Sequence, residues 1–382
     1  MQKSKSKKEP KLAFVTDWLS SSGGAEQVIA SWHDEWTEAP IYTTIFNPAK
    51  VPYFRNADVR PTYLSRYPFA KNHHQWFLGF MPKAVESMDL RDYNIVISSS
   101  HSCSKGVITK PETMHICYCH TPPRYIWEPE VDDRLWSQPW PISLYTHKLM
   151  SKLRVWDRLA SDRVDYFVAN SNYVAQRIQK FYRRDATVIY PPVEVDKFTP
   201  ALHPKNYFLA VGRLIPYKRF DLAIQACNAL GVPLKIIGDG PERRKLEAMA
   251  GDTIEFLGRV PDSEIPQLYA EANALLFPQL EDFGITAVES QAAGRPVIAY
   301  RAGGALETVK EGVTGTFFDE QTADSLARAI RQFDTFKVRP ADIRQHALQF
   351  SAQNYRKAFR EFIEKKYAEY QMGNFDPSLG NL

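Results

Sequence analysis

The sequence predicts an α/β protein in two halves, each a parallel sheet covered by helices on both faces. Three observations predict it. Short continuous apolar runs alternate with amphipathic ones along nearly all of the 382 residues. Gly and Pro stand at the ends of those runs, as at Gly212, Gly238, Gly240, Gly258 and Pro278. A proline-rich break, PPVEVDKFTPALHPKN, with Pro191, Pro192, Pro200 and Pro204, separates two similar patterns. Strands buried on both faces by crossover helices read as unbroken apolar runs rather than alternating ones.

In the first half, LAFVTDW, IYTTIF, NIVISSS, HICYCHTP, DYFVANS and TVIYPPV read as strands. GAEQVIASWHDEW and SNYVAQRIQKFY read as helices between some of them. In the second half the strands are YFLAVG (207–212), LKIIG (234–238), IEFLG (254–258), ALLFP (274–278), PVIAY (296–300) and GTFF (315–318). FDLAIQACNAL, PERRKLEAMA, DSEIPQLYAEA, TAVESQAA and ADSLARAIRQF are the helical patterns among them. The predicted units are a first domain over 11–198 and a second over 205–350. The stretch 351–382, with its long helical run SAQNYRKAFREFIEKKYAEY, is expected to return to the first domain.

Composition narrows the function classes. Apolar residues make up 44% and charged residues 24%, as in an ordinary globular protein. A net charge of +4 is too mild to indicate nucleic acid. Lys3, Lys5, Lys7, Lys8 and Lys11 crowd the N-terminus, which reads as a solvated tail or as an electrostatic tether to anionic lipid. No run approaches the roughly 18–20 apolar residues of a membrane span, and none reads as a signal peptide, so the expected location is cytoplasmic. Four cysteines beside an ample core suggest reduced thiols.

HICYCH (His115 to His120) invites a metal reading, which strand geometry opposes. His115, Cys117 and Cys119 share one face of a strand but lie ~6.6 Å apart along it. They cannot converge on one ion with ligand distances of ~2.0–2.3 Å. No Asp-x-Asp occurs anywhere. No metal and no cofactor is expected.

Two stretches carry the chemistry. GRLIPYKR places Arg213 and Lys218 directly after a strand and Gly212. Arg forks onto two phosphate oxygens and Lys supplies a mobile point charge. Solvated surface cations are the bland alternative, but the carboxyl ends of strands are where open α/β sheets bind ligands. The second stretch is EDFGITAVESQAAGRPVIAY, with Glu281 and Glu289 bracketing Gly284. Thr286 and Glu289 match a capping box, which would explain Glu289 without a ligand. That box leaves Glu281 and the glycine unexplained. A loop entering a helix offers backbone N–H groups, here of Phe283, Gly284 and Ile285, to an anion such as phosphate. Glu281 stands beside them at the strand end.

GRLIPYKRFDLAI, GDGPERRKLEAMA and EFLGRVPDSEIPQLYAEANALLFPQLEDFGITAVESQAAGRPVIAYRAGGALETV together resemble the C-terminal half of a retaining, GT-B type glycosyltransferase of family 4. The resemblance covers nearly all of that half. In the first half it rests on SSGGAEQV, CHTPPRYIW, VANSNYVAQRI and VIYPPVEVDKF, whose wording is similar to bacterial mannosyltransferases of O-antigen or exopolysaccharide synthesis. It implies two Rossmann-like domains facing a cleft, 11–198 on the acceptor side and 205–350 binding the nucleotide sugar. Arg213 and Lys218 would meet the diphosphate, Glu281 the donor sugar, and Glu289 the nucleotide ribose. Arg219 stands where many relatives have Gly.

Further candidates follow. The resemblance places His120 beside the transferred sugar. Ser22, Gly23 and Gly24 either let backbone approach a ligand or form a plain turn. Glu26 reads as first-turn helix stabilisation, and Asn170 and Ser171 as a cap. Gly238, Gly240 and Arg259 lie along the expected rim for the base. Arg124, Tyr125, Trp127, Trp136, Trp140 and Tyr145 form an aromatic segment, either packed or at a membrane interface. The implied reaction moves a hexose, first mannose from GDP-mannose and next a UDP-sugar, to a glycan or lipid-linked glycan at the inner face of the membrane. An epimerase on the same scaffold and a non-catalytic nucleotide-sugar-binding subunit are the rivals. The combination of Arg213, Lys218, Glu281 and Glu289 weighs against the subunit.

Overall fold

A computed structural model describes residues 10–21, 23–128, 139–201, 203–333 and 338–373. The strands of the first half are Leu12–Thr16 (β1), Ile41–Thr43 (β2), Val59–Pro61 (β3), Ile95–Ser100 (β4), Met114–Cys119 (β5), Tyr166–Ala169 (β6) and Ala186–Val188 (β7). They form one sheet in the order β3-β2-β1-β4-β5-β6-β7. All of its pairings are parallel. The second half contributes Phe208–Val211 (β8), Leu234–Ile237 (β9), Ile254–Gly258 (β10), Leu275–Phe277 (β11), Val297–Tyr300 (β12) and Gly315–Phe318 (β13). Its sheet runs β10-β9-β8-β11-β12-β13, again parallel throughout. The two sheets repeat one winding. Each reverses its order beside its first strand, between β1 and β4 and between β8 and β11, and such reversals open a crevice at the strands' carboxyl ends.

The apolar strand runs account for the core. Phe14, Ile97 and Ile116 lie in one buried cluster with Trp32 and Tyr118. Leu209, Leu275, Phe277 and Val297 lie in its counterpart in the second half. His115 to Cys119 of the HICYCH run lie in β5, which is buried over its whole length. Among the described residues no group of three His, Cys, Asp or Glu is placed to hold a metal ion.

The proline-rich break and the end of the second half cross side by side. Val193 N–H donates to the Phe350 carbonyl at 3.1 Å, and Ala352 N–H to the Val193 carbonyl at 3.1 Å. Beyond that point the helix Ala352–Gly373 lies on the first half. Its Tyr355, Phe359, Phe362 and Ile363 join the cluster around Trp32. The Phe359 ring stacks on Trp32 at 5.3 Å, and Trp32 Nε1 donates to the Tyr355 hydroxyl at 2.8 Å.

Three elements differ from the sequence reading. β3 was not expected; it is an edge strand with Arg60 and Pro61 exposed, so it lacks an apolar run. PERRKLEAMA yields only the short helix Arg243–Glu247. The end of the aromatic segment runs into a 20-residue helix, Ile142–Ser161, that the sequence reading did not include.

Candidate active site in the cleft between the sheets

The rim of the second sheet is built by close backbone approach. Gly212 N–H donates to the Ile237 carbonyl at 3.0 Å, and Gly238 N–H to the Gly258 carbonyl at 2.8 Å. Gly238 has φ +131, and a Cβ there would run into the Gly212 carbonyl. Three strand ends are thereby drawn into one ledge, a packing only glycine permits. Gly240 belongs to the same ledge, its Cα facing the Leu214 backbone. Arg259, at the end of β10, is exposed.

From this ledge a short 3-10 turn, Pro216–Lys218, carries Lys218, with Arg213 just before it. Lys218 forms an ion pair with Glu281, the two side chains 14% and 19% exposed. Burial opposes the Lys218 cation, yet the Glu281 carboxylate beside it outweighs burial and raises its pKa. The turn ends with Arg219 at φ +51, the left-handed conformation that glycine adopts freely. Arg219 holds it with its own guanidinium, bonded to Asp221 at 3.1 Å and Gln321 at 3.3 Å. Arg213 is exposed and has no ion pair among the described residues. Its charge is felt by His74 of the first half, so it acts across the cleft.

Opposite the cations, the loop Glu281–Gly284 leads into the helix Ile285–Ala292. Gly284 has φ +97, and a Cβ on it would come within 2.9 Å of Phe277 Cζ. No side chain caps this helix. The expected capping box is therefore absent. Gly284 occupies the cap position, which puts Thr286 inside the first turn, unable to act as the cap. Glu289 instead accepts a hydrogen bond from the Tyr269 hydroxyl at 2.9 Å, and burial raises its pKa. The Phe283 side chain is core, against Tyr190 and Phe350, so only its backbone is available to a ligand. Gly304 N–H donates to the Glu281 carbonyl at 2.9 Å, fixing the loop from behind.

The first half faces this loop with the ends of β1, β4 and β5. His120 follows β5, its Nε2 2.7 Å from Ser99 Oγ. Burial pushes its pKa down to about 3, so it enters the cleft as a neutral imidazole. Gly24 opens the helix Gly24–Glu35, and a Cβ there would lie 2.7 Å from Ile285 Cδ1. Gly24 thus sits against the loop of the other half. Gly23 is exposed just before it, while Ser22 lies outside the described residues. Glu26, in the first turn of that helix, is raised to about 7, mainly by burial. Ser171 Oγ caps the helix Asn172–Tyr182 through Val174 N–H at 3.0 Å.

Several residues here escaped the sequence reading. Asp17 is wholly buried at the end of β1 and accepts backbone N–H groups from the loop after β4. Trp18 stacks on His74 at 4.4 Å and meets His101 edge-on at 4.7 Å. Asp17 was legible by the rule that found Arg213, since it too directly follows a strand. His74 and His101 gave no signal, coming from segments with no periodic pattern.

The aromatic segment divides. Tyr125 bonds Ser102 at 2.6 Å, Trp127 stacks on Phe181 at 4.8 Å, and Arg124 pairs with Asp282 at 2.7 Å. These three are packed inward. Trp140 and Tyr145 are exposed, 82% and 66%. Trp136 lies outside the described residues.

Sequence comparison matches both halves. Residues 194–349 match the family described as glycosyl transferases group 1, and residues 22–197 match glycosyltransferase family 4. The chain belongs to the family 4 glycosyltransferases. Their GT-B fold is also that of its solved neighbours. Sucrose-phosphate synthase of Thermosynechococcus elongatus superimposes with TM-score 0.73 at 16% identity, covering 94% of this chain and 99% of the other. HepE of Anabaena, solved with UDP and glucose, gives TM-score 0.68 at 19% identity, covering 93% and 99%. A GDP-mannose-dependent phosphatidylinositol monomannoside mannosyltransferase of Mycolicibacterium smegmatis is 30% identical over 45% of this glycosyltransferase and 53% of its own length. A D-inositol 3-phosphate glycosyltransferase of Mycobacterium sp. strain KMS is 28% identical over 52% and 51%. The chain spans about half the length of the curated relatives it matches. Among the described residues of this glycosyltransferase, no helix is long and apolar enough to cross a membrane.

Proposed function

We propose that this glycosyltransferase moves a hexosyl group from a nucleoside diphosphate sugar to a hydroxyl of a glycan or lipid-linked acceptor, with retained anomeric configuration. One observation carries the reading: Lys218 and Glu281 are paired at a glycine ledge facing an uncapped helix N-terminus. That pairing keeps a cation for the departing diphosphate beside an acid for the sugar. The bond from the anomeric carbon to the diphosphate oxygen breaks, its electrons passing to that oxygen. Lys218, Arg213 and the N–H groups of Phe283, Gly284 and Ile285 stabilise the charge that develops there, with no metal. The acceptor oxygen bonds to the anomeric carbon from the same face, and its proton passes to the leaving phosphate. Glu281 orients the hexose and steadies its positive charge. His120, neutral, hydrogen-bonds the sugar, and Glu289 receives the ribose hydroxyls. Gly23 and Gly24 bring backbone close to the ligand, and Arg259 flanks the base.

GDP-mannose is the first donor to test, since the Mycolicibacterium smegmatis relative is named for its dependence on it. UDP-glucose comes next. A thermal-shift panel of GDP-, UDP-, ADP- and dTDP-sugars, followed by turnover with the best binder, tests the reading. Transfer with retention supports it. Epimerisation of donor alone, or binding without turnover across an acceptor panel, overturns it.

The acceptor side favours a lipid-linked substrate at an anionic bilayer. Trp76 and Phe80 are exposed, 69% and 60%, as are Trp140, Leu144 and Tyr145 of a second segment. The two segments touch, for a Cβ on Gly79 would lie 3.1 Å from Leu149 Cδ1. Exposed Lys71, Lys83, Lys148 and Lys152 flank these side chains in the sequence. Aromatic and aliphatic groups beside lysines suit the headgroup region of an anionic membrane.

A further inference from the structure

Two adjacent acids in the loop after β11 face opposite halves of the protein. Glu281 pairs with Lys218 in its own half. Asp282 turns across the cleft: its Oδ1 lies 3.3 Å from Thr121 Oγ1, 2.7 Å from Arg124 Nη2 and 3.6 Å from Arg177 Nη1. All three partners belong to the first half. Water is largely excluded, the Arg124 and Arg177 side chains being 14% and 6% exposed and Asp282 20%. Arg177 is held independently by Glu128 Oε2 at 2.9 Å and the Pro122 carbonyl at 3.3 Å. The Arg124 guanidinium also lies over the Tyr217 ring, 5.7 Å from its centroid.

We infer that Asp282 is a positioning residue that sets the spacing between His120 and Glu281 across the cleft; the inference rests on the transfer reaction proposed above. The register of the bridge is its argument. Thr121 follows His120, Asp282 follows Glu281, and Tyr217 precedes Lys218. Three residues of the bridge, Thr121, Asp282 and Tyr217, are thus immediate chain neighbours of site residues, so the bridge fixes those three site residues relative to one another. Removing the Asp282 charge leaves the buried Arg124 guanidinium without its ion-pair partner, while Arg177 keeps Glu128, and it weakens the contacts that hold the two halves together. A displacement of about 1 Å at reacting atoms is enough to cost on the order of 10²-fold in rate.

A second contact between the halves provides the control. The Glu307 carboxylate accepts Asn172 N–H at 2.8 Å, Tyr173 N–H at 3.0 Å and Asn172 Nδ2 at 2.7 Å. It crosses the same cleft but adjoins no site residue.

The experiment compares Asp282→Asn, Asp282→Glu, Arg124→Gln, Asp282→Asn/Arg124→Gln and Glu307→Gln in the full chain. It reads nucleoside diphosphate affinity, kcat, and the distance between halves by fluorescence transfer. Asp282→Asn is expected to lose about 10²-fold in kcat, with nucleotide affinity within about threefold and a longer distance between halves. Asp282→Glu recovers part of the rate, the double variant is no slower than Asp282→Asn, and Glu307→Gln loses less than tenfold. Asp282→Asn with wild-type kcat, a matching fall in nucleotide affinity, additive losses in the double variant, or an equal loss in Glu307→Gln each overturn the inference. Failure of the wild-type chain to bind nucleotide or turn over donor would instead sink the transfer reading. An unchanged distance between halves in Asp282→Asn would also overturn the inference, and that readout does not depend on the transfer reading.

Discussion

Oδ2 of Asp17 lies 3.0 Å from Nδ1 of His101, beneath a loop that the same carboxylate holds by four consecutive backbone N–H groups. His101 and Ser102 donate to Oδ2 at 2.7 and 2.9 Å, and Cys103 and Ser104 to Oδ1, both at 2.6 Å. Burial opposes ionisation, but the His101 charge, the backbone donors and Lys105 hold the Asp17 pKa below the ordinary range. The loop would otherwise leave these N–H groups without partners at the floor of the cleft. Asp17→Asn keeps one accepting oxygen and presents an amide to the other two donors. We expect it to lose about 2–4 kcal/mol of stability. A urea midpoint shifted by less than the equivalent of about 1 kcal/mol would contradict this account.

The Lys218–Glu281 pair leads to a different kind of loss. Neither residue supports the core, and both side chains reach solvent through the cleft. Lys218→Ala and Glu281→Ala should each cut transfer by on the order of 10²–10³-fold, as loss of a charge acting on the transition state does. Their melting temperatures should stay within a few degrees of wild type. Near-normal turnover in both variants, with the product assayed directly, would show that the pair is structural.

Much of this architecture was legible because the candidate site sits where strands end. GRLIPYKR and EDFGI both follow apolar runs, so the rule that open sheets bind at carboxyl edges singled out Lys218 and Glu281, which the fold brings together as an ion pair. The helix Ile142–Ser161 was not legible, because its apolar residues face both ways. Met150 and Leu153 are buried, while Ile142, Leu144, Tyr145, Val155 and Leu159 are exposed. Such a helix shows no clean 3.6-residue period. The capping box misled because Thr-x-x-Glu spacing says nothing of the backbone before it, where Gly284 at φ +97 already turns the chain. The Thr121–Asp282 contact joins residues 161 apart, a pairing that only the assembled halves reveal.

The exposed aromatic surface makes a prediction about partition rather than catalysis. Vesicles containing phosphatidylglycerol should carry this chain upward in a flotation gradient at low salt, and pure phosphatidylcholine vesicles should carry less. Charge attraction to anionic headgroups weakens as salt screens it. Trp76→Ser/Trp140→Ser should reduce flotation at least several-fold without changing turnover on a soluble acceptor analogue. Equal flotation of wild type and double variant, or none with anionic vesicles at low salt, would remove the membrane reading.

Three titratable groups of the first half oppose one another in their pH dependence. Burial, aided by the charges of His101 and Arg213, lowers His74 to about 4, and burial lowers His120 to about 3. Both lie below the unfolded value of 6.5, so the stability they contribute is complete above pH 6.5. It is lost as pH falls through about 4 and about 3. Glu26 has the opposite sign. Its folded pKa of about 7 exceeds the unfolded 4.5, so its contribution is complete below pH 4.5 and lost as pH rises through 7. Glu26→Gln removes a buried charge that exists only at the higher pH. It should therefore raise stability at pH 8, by at most ~3 kcal/mol, and change it little at pH 4.5. His120→Asn should flatten the loss on the acid side while leaving the pH 8 value nearer wild type. Urea midpoints at pH 4.5, 6 and 8 decide the matter: a Glu26→Gln effect of equal size at pH 4.5 and pH 8 would mean that its carboxyl titrates as if exposed.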